Sequence, residues 1–204
     1  YYIIGAVYQS KKVLALVDST SNGIEKEALP TVARFPRAKV KFDNVLVPET
    51  NIFPTTPPKL QNAMNLAILS QCAEMVGRAE RILEMVLEYS HNRVQFGRPI
   101  GTFQAIQHYC ANMATDLEGA RIVTYRAAWK ISTGTTSEME SSVAKSWVSS
   151  IASRLVYLAH QSFGAIGFTQ DHDLQLFTRR LKAGEIMFGD EFFHNSKIAD
   201  FLGL

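Results

Sequence analysis

The 204 residues are enough to bury a substantial core, as one domain or as one domain with a piece of another, and 47% hydrophobic against 20% charged residues is a globular balance. The 21 basic and 19 acidic residues are spread along the chain and leave a formal charge of +2, which excludes the electrostatic footprint of a nucleic-acid-binding protein or of a polybasic membrane-surface protein. Two cysteines, Cys72 and Cys110, lie inside helical patterns and exclude a secreted-type disulfide framework, and the longest uncharged runs, 60–73 and 155–170, fall short of the roughly 20 apolar residues of a membrane span.

These features predict a soluble chain of the cytoplasm or another reducing intracellular compartment, with no membrane span. The opening Tyr-Tyr-Ile-Ile-Gly-Ala-Val-Tyr lacks the basic start and small-residue cleavage site of a signal peptide. It reads as a strand entered midway, as if a larger protein were cut here. Residues 2–8 and 13–17 are short apolar runs separated by Gln9, Ser10, Lys11 and Lys12, the pattern of a hairpin. Residues 19–23 form a turn, and 38–47 alternate in part, with Val40, Phe42 and Val45 apolar, which suggests one more half-buried strand. Pro48, Pro54, Pro57 and Pro58 then break regular structure. The expected division is a partial β-domain over 1–54 and a helical domain over 58–204.

Beyond the prolines the period changes from two to about 3.6. Leu60, Met64, Ile68, Cys72, Met75, Ala79, Ile82, Val86 and Tyr89 form one stripe of a long helix, which Gly97, Pro99 and Gly101 end. A second helix from about Phe103 carries a seam at Phe103, Ile106, Cys110, Met113, Leu117 and Ala120. After a polar turn at 133–137, Val143, Trp147, Ile151, Leu155 and Leu158 make a third stripe, closed by Gly164 and Gly167. Two shorter helices over 174–183 and 192–202 follow, divided by Gly184 and Gly189. The expected fold is mainly α: an antiparallel four-helix bundle with extra C-terminal helices, preceded by a partial β-domain.

Two segments carry chemistry. Arg93-Val94-Gln95-Phe96-Gly97-Arg98-Pro99-Ile100-Gly101 joins the first two long helices, and on turn chemistry alone it reads as a helix-turn-helix junction. Gln161-Ser162-Phe163-Gly164-Ala165-Ile166-Gly167-Phe168 adds glycines that let a ligand approach the backbone. Taken together with Phe103-Gln104-Ala105-Ile106-Gln107, Arg179, Lys182 and the upstream Phe42-Asp43-Asn44-Val45-Leu46-Val47-Pro48, these motifs resemble the C-terminal domain of acyl-CoA dehydrogenases, preceded by the last strand of that family's middle β-domain.

The resemblance covers essentially the whole chain. It implies an FAD-dependent oxidoreductase acting on an acyl-CoA thioester, assembled as a homo- or hetero-oligomer (dimer or tetramer) with FAD bound where subunits meet. It also implies that Arg93, Phe96, Gln161 and Gly164 contact the ADP portion of FAD. A guanidinium suits pyrophosphate oxygens, an aromatic ring offers a flat apolar surface, and a carboxamide both donates and accepts. Ala165 stands where the family usually has a second glycine. The reaction needs a carboxylate base beside the substrate. The two positions that usually supply it correspond here to Phe188 and Ala67, and those that often contact coenzyme A to Asn65 and Ile68. Asp190 and Glu191 remain as candidate bases, Asp190 being equally well placed as a helix N-cap.

The alternative is a non-catalytic subunit or assembly module that contributes to a partner's FAD site. Two Glu-x-x-His motifs, Glu88 to His91 and Glu191 to His194, raise a di-iron carboxylate site. At 100° per residue, however, Glu88 and His91 turn to the outer face when Val86 faces the core. No metal site is assigned, and Asp171-His172-Asp173 reads as a helix start.

Overall fold

The computed structural model describes residues 1–134 and 138–204, so most of the polar turn expected at 133–137 lies outside the described residues. The chain divides into two compact units, Tyr1–Ala63 and Met64–Leu204.

In the first unit, β1 (Tyr2–Tyr8) and β2 (Lys11–Val17) form the expected antiparallel hairpin, with Tyr8 opposite Lys11. Its two-residue turn places Gln9 at φ 47° and Ser10 at φ 62°, the backbone that matches the right-handed twist of paired strands. Period two along β2 buries Val13, Ala15 and Val17. The strand β3 (Ile24–Leu29) pairs with β4 (Arg37–Phe42), which is shorter than the alternation at 38–47 suggests. No strand is expected at β3 from sequence, because Ile-Glu-Lys-Glu-Ala-Leu is exposed along almost its whole length and has no buried face to generate alternation. A further short strand, β5 (Ile52–Pro54), lies within the proline-rich stretch on the edge of β2, where a missing N–H is tolerated.

Helix α1 (Pro57–Asn92) begins on two prolines, whose fixed φ suits a first helical turn. Within the second unit its stripe of Ile68, Cys72, Met75, Ala79, Ile82 and Val86 is buried. Helix α2 (Gln104–Ser132) buries Met113, Leu117 and Ala120 of its seam and extends that face through Thr124 and Ala127. In α3 (Glu138–Phe163), Ile151, Leu155 and Leu158 are buried as expected, but Trp147 is exposed and Val143 only half-buried. The buried face of its first half is instead Ser141, Ser142, Ala144, Lys145, Val148 and Ser149. A stripe drawn through the bulkier Val143 and Trp147 misses this face, on which Ala144 and Val148 lie among serines and a lysine.

Helices α4 (Leu174–Ile186) and α5 (Glu191–Leu202) complete the unit. Gly184 lies inside α4 and does not separate the two; a Cβ there would be 2.8 Å from Gln71 Nε2 and 2.9 Å from Met75 Cγ, so α4 and α1 pack too closely for a side chain. Cross-links fix the helix directions. Asp116 pairs with Arg154 and Lys130 with Glu140, so α2 and α3 run antiparallel. Down α3, Ser153 meets Lys182, Ser149 meets Glu185, Ser146 meets Asn195 and Glu138 meets Lys197. Hence α4 and α5 lie in succession along one helix, and together they form the fourth arm of the bundle, interrupted at 187–190.

Candidate functional site

The link between α1 and α2 is a β-hairpin, not the helix-turn-helix junction that glycine and proline suggest. β6 (Val94–Gln95) pairs with β7 (Arg98–Pro99), and the intervening Phe96 and Gly97 adopt φ 54° and 78°. Gly97 takes that conformation freely, whereas Phe96 is strained by it. Main-chain bonds anchor the foot of the hairpin: Arg93 N–H donates to Tyr89 O and Ile100 N–H donates to Arg93 O, both at 2.8 Å. Phe96 is 93% exposed, its ring edge-on to Phe103 at 6.1 Å, and the Arg98 guanidinium lies 4.3 Å from the Phe103 ring centroid. Arg93 is exposed beside it.

The second predicted segment ends α3. Gln161 is exposed, Gly164 turns the chain at φ 65°, and a Cβ on Gly164 would meet nothing within 4 Å, so the backbone there is open. Ala165 is exposed in the 3-10 turn that follows, Gly164–Phe168. Tyr89 near the end of α1 stacks on Phe163 at the end of α3, with centroids 4.4 Å apart. Arg93, Phe96, Gln161 and Gly164 therefore all belong to one end of the bundle.

Asp190 and Glu191 belong elsewhere, at the break between α4 and α5. Asp190 is the N-cap of α5, its Oδ1 accepting from Phe193 N–H at 2.9 Å, and Glu191 opens the helix. Phe188 is exposed at φ 62° and Gly189 follows at φ 99°. This turn packs against α3 at Lys145 and Ser149, about twelve to sixteen residues before Gln161, which is roughly 20 Å along the helix. On α1, Ala67 is half-buried, while Asn65 and Ile68 are buried.

Sequence reasoning missed Lys145 altogether and saw His194 only as half of a Glu-x-x-His motif. Lys145 and His194 are fully buried beneath the turn. Lys145 Nζ donates to Ser149 Oγ, Glu185 O and Gly189 O at 2.7, 2.8 and 2.8 Å, and His194 Nε2 lies 3.0 Å from Phe188 O. Burial lowers the pKa of both. A lysine four residues before Ser149 on a serine-rich helical face was the available signal. Of the Glu-x-x-His motifs, Glu88 and His91 are exposed, and His194 is engaged by the Phe188 carbonyl.

A family model described as the C-terminal domain of acyl-CoA dehydrogenase matches residues 59–203. The chain belongs to the acyl-CoA dehydrogenase family. It is 31% identical over 180 residues to the mitochondrial short/branched chain specific acyl-CoA dehydrogenase of Rattus norvegicus, covering 85% of this chain and 42% of that protein. The structure of butyryl-CoA dehydrogenase from Megasphaera elsdenii superposes with a TM-score of 0.92 at 24% identity, covering all of this chain and 56% of that one, which establishes the fold. A structure described as PigA with FAD and proline superposes with a TM-score of 0.91 at 26% identity over 99% of this chain and 56% of that one. This chain thus spans about half the length of the relatives it matches. No helix among the described residues is long and apolar enough to cross a membrane.

Proposed function

We propose that this chain is the C-terminal part of an FAD-dependent oxidoreductase acting on the CH–CH group of an acyl-CoA thioester, with residues 1–54 ending its middle β-domain and 58–204 forming its bundle. The observation that carries this reading is the hairpin at Arg93–Phe96. An aromatic residue held outward at a strained φ, beside an exposed guanidinium, spends folding energy on a presentation that packing does not require. The residues fit the group: Arg93 would pair with pyrophosphate oxygens, Phe96 would cover the adenosine face, Gln161 would hydrogen-bond it, and open backbone at Gly164 would admit close approach. Bound FAD would supply the hydride acceptor.

The roughly 20 Å along α3 between this end and the turn carrying Asp190 and Glu191 supports a site completed between chains. Ile122, Tyr125 and Trp129 form an exposed apolar stripe on α2, which suits a dimer or tetramer of like or unlike chains. Asp190 or Glu191 would act as the base that removes the α-proton. Asp190 has one oxygen committed to its cap, so Glu191 is the freer of the two. Two free cysteines, Cys72 and Cys110, suit a reducing compartment.

The second reading is a subunit that lends Arg93 and Gln161 to a partner's flavin while the partner supplies the base, and the side chains of Phe188 and Ala67 favour it. The test is to produce the chain with its family-length N-terminal region, purify it, and record visible absorbance before and after adding acyl-CoA thioesters. Bound flavin that bleaches is expected, and Asp190→Asn or Glu191→Gln should slow the bleaching. Flavin that never bleaches turns the assignment to the partner-supporting subunit.

A further inference from the structure

Lys145 is fully buried in the first half of α3, yet among the described residues its ammonium makes no ion pair at hydrogen-bond distance. Its three acceptors are neutral: the Ser149 hydroxyl and the carbonyls of Glu185 and Gly189. They match the three N–H donors of an ammonium group. Cys72 also faces it, but burial pushes that thiol up to about 12, so it stays protonated and supplies no counter-charge; the carboxylates acting on Lys145 are Glu185 and Asp190. A buried ammonium held by carbonyls is harder to fold around than an apolar side chain of equal volume. What a buried donor group of this kind does supply is a fixed geometry for the carbonyls it binds.

The conformation at issue is the break in the fourth arm. Glu185 O and Gly189 O bracket the turn, and the carbonyl between them, Phe188 O, faces His194 Nε2. A carbonyl only accepts, so His194 carries its proton on Nε2, and its buried Nδ1 has no partner among the described residues. Lys145 and His194 thus bind three main-chain oxygens from inside. Phe188 and Gly189 are meanwhile held in the left-handed region, and a Cβ on Gly189 would lie 2.3 Å from the Phe193 ring. The outer face of the same turn presents the Phe188 ring, Asp190 and Glu191.

We propose that Lys145 is a positioning residue for the reaction of this flavoprotein: its ammonium, seconded by His194, holds the Phe188–Gly189 turn in the shape that presents residues 188–191 to the flavin and thioester. This rests on the function proposed above and adds to it the device that shapes the turn carrying the candidate bases Asp190 and Glu191.

The experiment uses the protein carrying its N-terminal region, compared with Lys145→Met and with Leu155→Ala, a core truncation on the same helix away from the turn. Amide hydrogen exchange over 186–191, flavin absorbance and the rate of flavin bleaching by acyl-CoA are read on each. Lys145→Met should speed exchange in the turn about 10-fold or more relative to the amides of α2 and slow bleaching about 10-fold or more at unchanged flavin content, whereas Leu155→Ala should lower stability, change exchange in the turn no more than in α2 and leave bleaching unchanged. Unchanged exchange overturns the proposal, and so does faster exchange with bleaching within about 2-fold of wild type. If Lys145→Met does not fold, Lys145→Leu, which likewise removes every donor, is read by the same criteria. An unsubstituted protein without flavin, or one whose flavin never bleaches, removes the reading on which the proposal rests, and this is seen before any substitution is made.

Discussion

Arg93 is exposed at the foot of the hairpin, so Arg93→Ala should leave unfolding free energy within about 0.5 kcal/mol of wild type. The loss should appear in flavin retention. A charge-assisted contact is worth about 1.5–3 kcal/mol, and its removal corresponds to ~10- to 100-fold weaker binding, measurable by titrating the apoprotein with FAD. The buried histidines make a second prediction at this scale. Burial holds His194 below the ordinary value near 6.5, with Lys145 and Lys197 adding to the shift and the Phe188 carbonyl and Asp190 opposing it. His160, which shares a hydrogen bond with Thr178 and stacks on Phe168, is lowered by burial alone. As pH falls the unfolded chain takes up these protons first, so the stability present above about pH 6.5 is lost as pH falls from there through the lower folded-state values. Urea midpoints at pH 7.5, 6.5 and 5.5 should fall in that order, and His194→Gln should reduce the slope.

At the scale of elements, α3 is the central strut, since α2, α4 and α5 all cross-link to it. Leu155 is fully buried there, and Leu155→Ala should destabilise by about 2–5 kcal/mol, seen as a lower denaturant midpoint at unchanged m-value. Arg154 binds Asp116 of α2 through both Nε and Nη2, and Asp116 is 3% exposed. Arg154→Ala would strand a buried carboxylate at a cost of about 1–3 kcal/mol, the partial exposure of the arginine side limiting the penalty. The helices were legible in sequence because apolar residues recur along them at 3.6, as Ile68, Cys72, Met75, Ala79 and Ile82 do on α1. The orientation of α3's first half was not. Its inner face sets Ala144 and Val148 among Ser141, Ser142, Lys145 and Ser149, and the small Ala144 marks the buried side less clearly than the bulkier Val143 and Trp147, which the fold leaves half-buried and exposed. Strand β3 escaped for the converse reason, since an exposed strand has no face for the alternation to mark.

For the whole molecule, the α2 stripe of Ile122, Tyr125 and Trp129 belongs to an assembly surface under the proposed function. The protein with its N-terminal region should therefore run as a dimer or tetramer in light scattering. Tyr125→Glu should shift it towards smaller species and lower flavin content together, because the proposed site is completed between chains. Loss of assembly with flavin fully retained would count against that arrangement.

Sequence alone determined the number and order of the long helices, the first hairpin, and the family resemblance carried by the Arg93–Gly101 and Gln161–Phe168 segments, because these depend on local period and on residue identity. Tertiary structure decided the left-handed presentation of Phe96, the joining of α4 and α5 into one interrupted arm, and the burial of Lys145 and His194 beneath the Phe188 turn. Each of these depends on where distant main-chain carbonyls or helix faces come to lie, and a carbonyl looks the same in every residue of a sequence until the fold brings a donor to it.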